Sequence, residues 1–183
     1  MRFQEQFEPI TRSWPLTHPQ PVSNIEFMER KYYYFLDKEG RIWHEGTEIT
    51  DPRFAYLVQR ALKRIENGYL VKCQGEDCYF EIEDVPYVVQ DVALHKNERG
   101  LLRQIDLIFP GGYTEVLDPS TLRVSDQNVL YCKVRGGKFD ARFTLKSFFH
   151  LAPFIEQDPA GREYSLPVGE KKYVIAQPAI QQQ

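Results

Sequence analysis

In this chain, strand-forming stretches come in pairs around tight turns, and twice such a pair is followed by a helical stretch and a further pair. A helix with a single apolar stripe is buried by laying it on one face of antiparallel strands. This order therefore specifies an α+β fold rather than a helical bundle. The first pair is Tyr32-Tyr33-Tyr34-Phe35-Leu36 and Arg41-Ile42-Trp43-His44, joined by Asp37-Lys38-Glu39-Gly40. A three-residue loop with Gly40 left-handed closes this hairpin and sets Leu36 beside Ile42 and Phe35 beside Trp43. Asp51 then suits a helix N-cap, and Pro52 the first helical position, where no amide donor is missed. Phe54, Leu57, Val58, Ala61, Leu62 and Ile65 recur at helical spacing, with Gly68 after Asn67 as the stop.

The spacing predicts a hairpin from 69–73 and 78–83 around Gln74-Gly75-Glu76-Asp77. A third joins 87–95 to 101–109, and Pro110-Gly111-Gly112 separates it from a short strand over 113–117. In the second half, the Gly136-Gly137 turn pairs Val134 with Phe139, Cys132 with Ala141 and Leu130 with Phe143 on an apolar face. Lys133 then meets Asp140, and Tyr131 meets Arg142, on the other face. A short helix over 147–155 follows, bent by Pro153, and a last hairpin over 162–166 and 171–176.

Setting Gly40 over Gly137 and Gly75 over Gly169 aligns the halves, so the expected architecture is a duplicated ββαββ unit with mainly antiparallel sheets. The expected boundaries are an irregular, proline-rich N-terminal arm (1–30), a first unit with its connecting hairpin (31–117), a second unit (118–176) and a disordered tail (177–183).

Two segments carry a resemblance. Gly40-Arg41-Ile42-Trp43-His44-Glu45-Gly46 and Glu83-Asp84-Val85-Pro86-Tyr87-Val88 resemble motifs of an uncharacterised bacterial domain family, G-x-W-x-x-G and E-D-x-P-[FY]-V, with Trp43 one place late here. Leu122-Arg123-Val124, Val134-Arg135-Gly136-Gly137 and Ala141-Arg142-Phe143 resemble its second half. The first half is also similar to an uncharacterised eukaryotic family, through the Tyr32–Gly40 run and Asp51-Pro52-Arg53-Phe54. The resemblance implies a two-unit α+β fold with a pleckstrin-homology-like second unit, and a partner site between the units with an inferred signalling role. It implies no reaction.

The functional chemistry is sparse. A formal net charge of -3 gives no general attraction to phosphate polymers. Cys73, Cys78 and Cys132 are too few for a disulfide scaffold, and with only scattered histidines they make no zinc set, so neither metal nor cofactor is expected. Whether Cys73 and Cys78 pair across their hairpin is left open. The lack of a leader-like or membrane-spanning apolar run points to the cytoplasm. No nucleophile elbow, phosphate loop or His-Glu-x-x-His pair is present. Asp84, before a restricted Val-Pro dipeptide, is expected to cap its own backbone. His150 is expected to be buried. The residues that could recognise a ligand are Arg53, on a basic helix face with Arg60, Lys63 and Arg64, together with Arg142, Tyr131, Asp84 and Trp43. The leading expectation is a non-enzymatic binding module for a protein or anionic ligand between the units. A cleft hydrolase using Asp84, His95 and Arg53 is the alternative, and a single-stranded nucleic-acid binder the third.

Overall fold

The computed structural model describes residues 31–178. The expected N-terminal arm, and the expected tail beyond Pro178, lie outside the described residues. The protein is mixed α+β, mostly short strands in antiparallel-dominated sheets with two short helices.

The first half runs β1 (Lys31–Leu36), β2 (Ile42–His44), β3 (Thr47–Ile49), α1 (Pro52–Ala61), β4 (Lys63–Ile65), β5 (Gly68–Cys73) and β6 (Glu76–Ile82). These strands form one sheet ordered β3-β2-β1-β6-β5-β4, with β1 and β6 parallel at its centre. The expected pairs Phe35↔Trp43 and Leu36↔Ile42 are present. Asp37 and Arg41 close a three-residue loop in which Gly40 has φ 85°. A Cβ there would press to 3.1 Å from the Val88 Cβ, so glycine also lets this loop seat on a later strand.

Asp37 organises the loop. Its carboxylate accepts the Glu39 and Arg41 N–H groups, the Arg41 guanidinium at 2.7 Å and the Trp43 indole at 3.0 Å. Burial opposes its charge, but these donors outweigh that and hold its pKa below the usual carboxylate value. Asp37→Ala leaves the half-buried Trp43 indole and two loop N–H groups without their acceptor and is expected to cost about 2 kcal/mol in urea unfolding at pH 7. Because the folded pKa is depressed, this contribution is complete above about pH 4 and is lost as the pH falls through the folded value. The deficit of the variant should therefore shrink on acidification.

The helix starts as expected, with Asp51 accepting the Arg53 N–H and Pro52 in its first turn. It does not reach Gly68. It ends at Ala61, where Leu62 caps it, and Lys63–Ile65 form β4 instead, joined to β5 by the Glu66-Asn67 turn. Lys63 and Arg64 thus leave the helix, and its expected basic face shrinks to Arg53 and Arg60. The β5–β6 turn has two residues, Gln74 and Gly75, both at positive φ, as a type I′ turn requires. It is not the four-residue loop expected, and Cys78 faces Val71 rather than Cys73. All three cysteines are free thiols.

The expected third hairpin is divided. β7 (Tyr87–Val89) leaves it to pair with the second half, while β8 (Asp91–Lys96), β9 (Leu102–Ile108) and β10 (Thr114–Val116) form a three-stranded antiparallel sheet. The second half comprises β11 (Arg123–Val124), β12 (Leu130–Val134), β13 (Phe139–Phe143), α2 (Leu145–Leu151), β14 (Glu156–Gln157), β15 (Tyr164–Val168) and β16 (Lys171–Val174). β11, β12 and β13 make a sheet completed by β7, which runs parallel to β13, and β14, β15 and β16 make another. Ala176 bridges Arg123 in parallel. The expected β12–β13 register holds for Val134↔Phe139, Cys132↔Ala141, Lys133↔Asp140 and Tyr131↔Arg142. Its turn spans 135–138 rather than the two glycines alone. α2 begins at Leu145, capped by Thr144, and gives way to a 3₁₀ turn at Ala152–Phe154 that accommodates Pro153. His150 is not buried. It projects from α2 to pair with Asp91 at 2.6 Å. One apolar core runs through both halves, from Leu36 and Val58 to Phe109, Phe143 and Leu166.

Candidate functional site

Alternation along β1 divides its side chains between two environments. Tyr34 and Leu36 face α1, with the Tyr34 ring 5.1 Å from that of Phe54, so Tyr33 and Phe35 point to the other face of the sheet. There Tyr33 is 67% exposed and stacks on Tyr79 at 5.5 Å, while Phe35 is 37% exposed and pairs with Trp43 and Glu81. The Trp43 indole is fixed by Asp37 and by the Arg41 guanidinium 5.5 Å from its ring. These rings line an open hollow of about 640 Å³, shared with Glu45, Glu81 and Asp84. Gly68 adds to the depression because it has no side chain. A Cβ there would meet the Phe80 carbonyl at 3.3 Å with the backbone at φ 120°.

Asp84 ties this hollow to the second half. Its expected backbone-capping role is not what the fold uses, since its Oδ2 accepts both the Tyr131 hydroxyl and Arg142 Nη1, each at 2.8 Å. Burial, then the bond to Asp84, raises the Tyr131 pKa. The partner stacked on Tyr131 is Arg123, 4.5 Å from the ring centroid, and not its cross-strand neighbour Arg142. Arg123 and Lys133 both also reach Asp140. Asp140 is held below the usual carboxylate range because these two cations outweigh its burial.

Of the five residues singled out from sequence, Asp84, Tyr131 and Arg142 are thus bonded together, and Trp43 lines the same hollow as Asp84. Arg53 is not with them. It lines a separate hollow beside Asp51, Phe54 and Cys73. The arginine pair expected for an anion is therefore divided, and the charge of Arg142 is already matched by Asp84. The hydrolase set is divided too. His95 binds Asp106 at 2.7 Å, and neither His95 nor Arg53 lines the hollow of Asp84. Burial pushes the Cys73 and Cys132 thiols up to about 12, so neither supplies a thiolate near neutral pH. Phe35, Tyr79 and Glu45 were not anticipated from sequence. The alternation in Tyr32-Tyr33-Tyr34-Phe35-Leu36 held the signal, because fixing Leu36 inward forces Phe35 and Tyr33 out.

No family model matches the sequence, and no curated protein sequence matches it. Two solved structures share its fold. One is a DUF1285 family protein from Silicibacter pomeroyi, with a TM-score of 0.60 and 18% identity over 80% of this chain and 82% of that one. The other is a DUF1285 family protein from Shewanella baltica, with a TM-score of 0.52 and 15% identity over 67% of this chain and 91% of that one. At these identities the likeness is one of fold. Among the described residues, no helix is long and apolar enough to cross a membrane.

Proposed function

We propose that this protein is a binding module without catalytic activity, and that it recognises a protein partner on the outer face of its six-stranded sheet where that face meets the second half. The observation that carries this reading is the exposed aromatic set on one sheet face, Tyr33 and Phe35 beside Trp43 and Tyr79. Contiguous exposed apolar surface rimmed by polar groups marks interaction sites, and tyrosine and tryptophan are the usual anchors of such contacts. The bonds from Asp84 to Tyr131 and Arg142 would keep the rim rigid as it engages a partner. Signalling in the cytoplasm is the setting this reading favours, on the strength of the sequence resemblance.

A duplicated origin belongs to the same proposal, with units at 31–117 and 118–176. Residues 31–82 and 123–174 each run three strands, a helix and three strands, with β7 to β10 as an addition to the first unit. Loops 37–41 and 125–129 share one hydrogen-bond pattern, in which Asp37 and Ser125 each accept the N–H groups two and four residues on. The same turn recurs at 97–101 with Gly100 left-handed, so it fixes no alignment of the halves by itself. β1 runs parallel to β6 as Arg123 does to Ala176. The pleckstrin-homology-like character of the second unit rests on the sequence resemblance alone.

The test is a paired variant, Tyr33→Ser with Phe35→Ser. Tyr33→Ser is a surface change, whereas Phe35 is only 37% exposed and its loss is expected to cost about 1–2 kcal/mol, seen as a lowered melting temperature with the circular dichroism spectrum of the folded chain retained. Cytosolic proteins retained by the wild-type chain should be lost. Unchanged retention by the folded variant would rule out this face.

A further inference from the structure

We infer that the partner offers this face an arginine-bearing, basic segment. The inference rests on the proposal that the hollow is the recognition surface, and adds the chemistry of what enters it. Glu45 from the β2–β3 turn and Glu81 from β6 line the hollow, and neither has an ion pair among the described residues. Asp84 receives both of its donors on Oδ2, leaving Oδ1 available. The cation nearest Trp43 is already matched, because Arg41 is paired with Asp37 at 2.7 Å. Electron-rich ring faces beside unmatched carboxylates attract a cation and repel an anion. Phosphate, carboxylate and single-stranded nucleic acid would all meet the acidic rim.

Guanidinium suits the surface better than ammonium, since it is planar, stacks on aromatic faces and binds a carboxylate through two parallel hydrogen bonds. Two features favour a chain segment over a small free cation. The hollow is open rather than enclosed, whereas small-ligand sites bury most of their ligand. Its unmatched carboxylates also stand on separate elements, so consecutive side chains of one extended segment can engage them together. The chain itself uses the same pairing, with Arg64 lying 5.8 Å from the ring of Tyr69, a residue that also lines the hollow, and 5.7 Å from that of Phe139.

The test is calorimetric titration of the full chain with four probes: a Gly-Arg repeat peptide, the matching Gly-Lys and Gly-Gln peptides, and N-acetyl-arginine amide. Each is repeated on a Glu45→Gln/Glu81→Gln variant, on Glu98→Gln as a remote control, and on the Tyr33→Ser/Phe35→Ser variant. The arginine peptide should bind most tightly, weaken with added salt, and lose about tenfold or more in affinity on the Glu45→Gln/Glu81→Gln variant but not on the control. Absence of binding by the arginine peptide, or equal binding to wild type and the Glu45→Gln/Glu81→Gln variant, overturns the inference. Equal affinity for N-acetyl-arginine amide overturns the choice of a chain segment. If the glutamine peptide binds as well and is lost with Tyr33→Ser/Phe35→Ser, the face remains a binding surface and only its basic partner is wrong. If the arginine peptide survives Tyr33→Ser/Phe35→Ser unchanged, the face itself is wrong.

Discussion

Gly111→Ala is expected to lower the unfolding free energy by about 3 kcal/mol or more, because the added methyl has nowhere to go. Gly111 lies in the 3₁₀ turn after β9 at φ 73°, directly beneath the first turn of α1. A Cβ built there falls 2.4 Å from the Tyr56 amide nitrogen, 2.5 Å from the Pro52 carbonyl oxygen and 2.9 Å from the Tyr56 Cα. All three are backbone atoms, so no rotamer change relieves the contact, and two of them are an i→i−4 donor and acceptor of the helix. Either α1 moves off the sheet or the bond from the Tyr56 N–H to the Pro52 carbonyl is lost. Moving it would disturb Val58 and Leu62, which are buried against the core. Gly112→Ala supplies the control. Gly112 has a similar φ of 79° but nothing within 4 Å of its added Cβ. It should cost only the left-handed backbone penalty of about 1 kcal/mol. Urea unfolding of both variants separates the two terms, and equal losses would show that the approach of helix to turn is not tight.

The two Gly111 effects mark what the sequence can and cannot announce. Its place in a Pro-Gly-Gly break is legible, whereas the helix resting on it, 55 residues earlier at Tyr56, is not. The same division holds across the fold. The β12–β13 register is legible because a slip of one residue in β12 would drive Val134 and Cys132 outward while burying Lys133, and one in β13 would expose Phe143 while burying Asp140, so both strands vote for one alignment. The end of α1 is not legible. Ile65 continues the helical stripe and Gly68 reads as a stop, yet Asn67-Gly68 is equally a hairpin signal, and pairing of Ile65 with Gly68 prevails over local periodicity. At the site, the cross-strand meeting of Tyr131 and Arg142 follows from register. The attachment of Asp84 to both, over 47 and 58 residues of sequence, depends on how the halves pack and has no local trace. Local capping was the economical expectation for such an aspartate, and a long-range acceptor role displaced it.

Arg135 carries the second large effect, and it bears on how the halves are held together. Its Nη1 donates to the Gln59 carbonyl at 2.9 Å, the Arg60 carbonyl at 2.8 Å and the Tyr87 hydroxyl at 2.9 Å. Its own N–H donates to Glu115 Oε2 at 2.8 Å, and its Nε lies 3.8 Å from Glu115 Oε1. One side chain from the β12–β13 turn thereby neutralises the carbonyl end of α1, fixes a fully buried tyrosine and meets an acid on β10. Arg135→Met keeps much of the apolar stem but leaves two helix carbonyls and Glu115 without their cation, and is expected to cost about 3 kcal/mol. Arg135→Lys restores charge but not the forked geometry and should recover only part of that loss. A second signature separates a seam from a merely local role. Hydrogen exchange should accelerate at the C-terminal turn of α1, in the first half, although the substitution lies in the second. A loss below about 1 kcal/mol, or faster exchange confined to β12 and β13, would mean that the apolar core alone joins the halves, with Arg135 only decorating its edge.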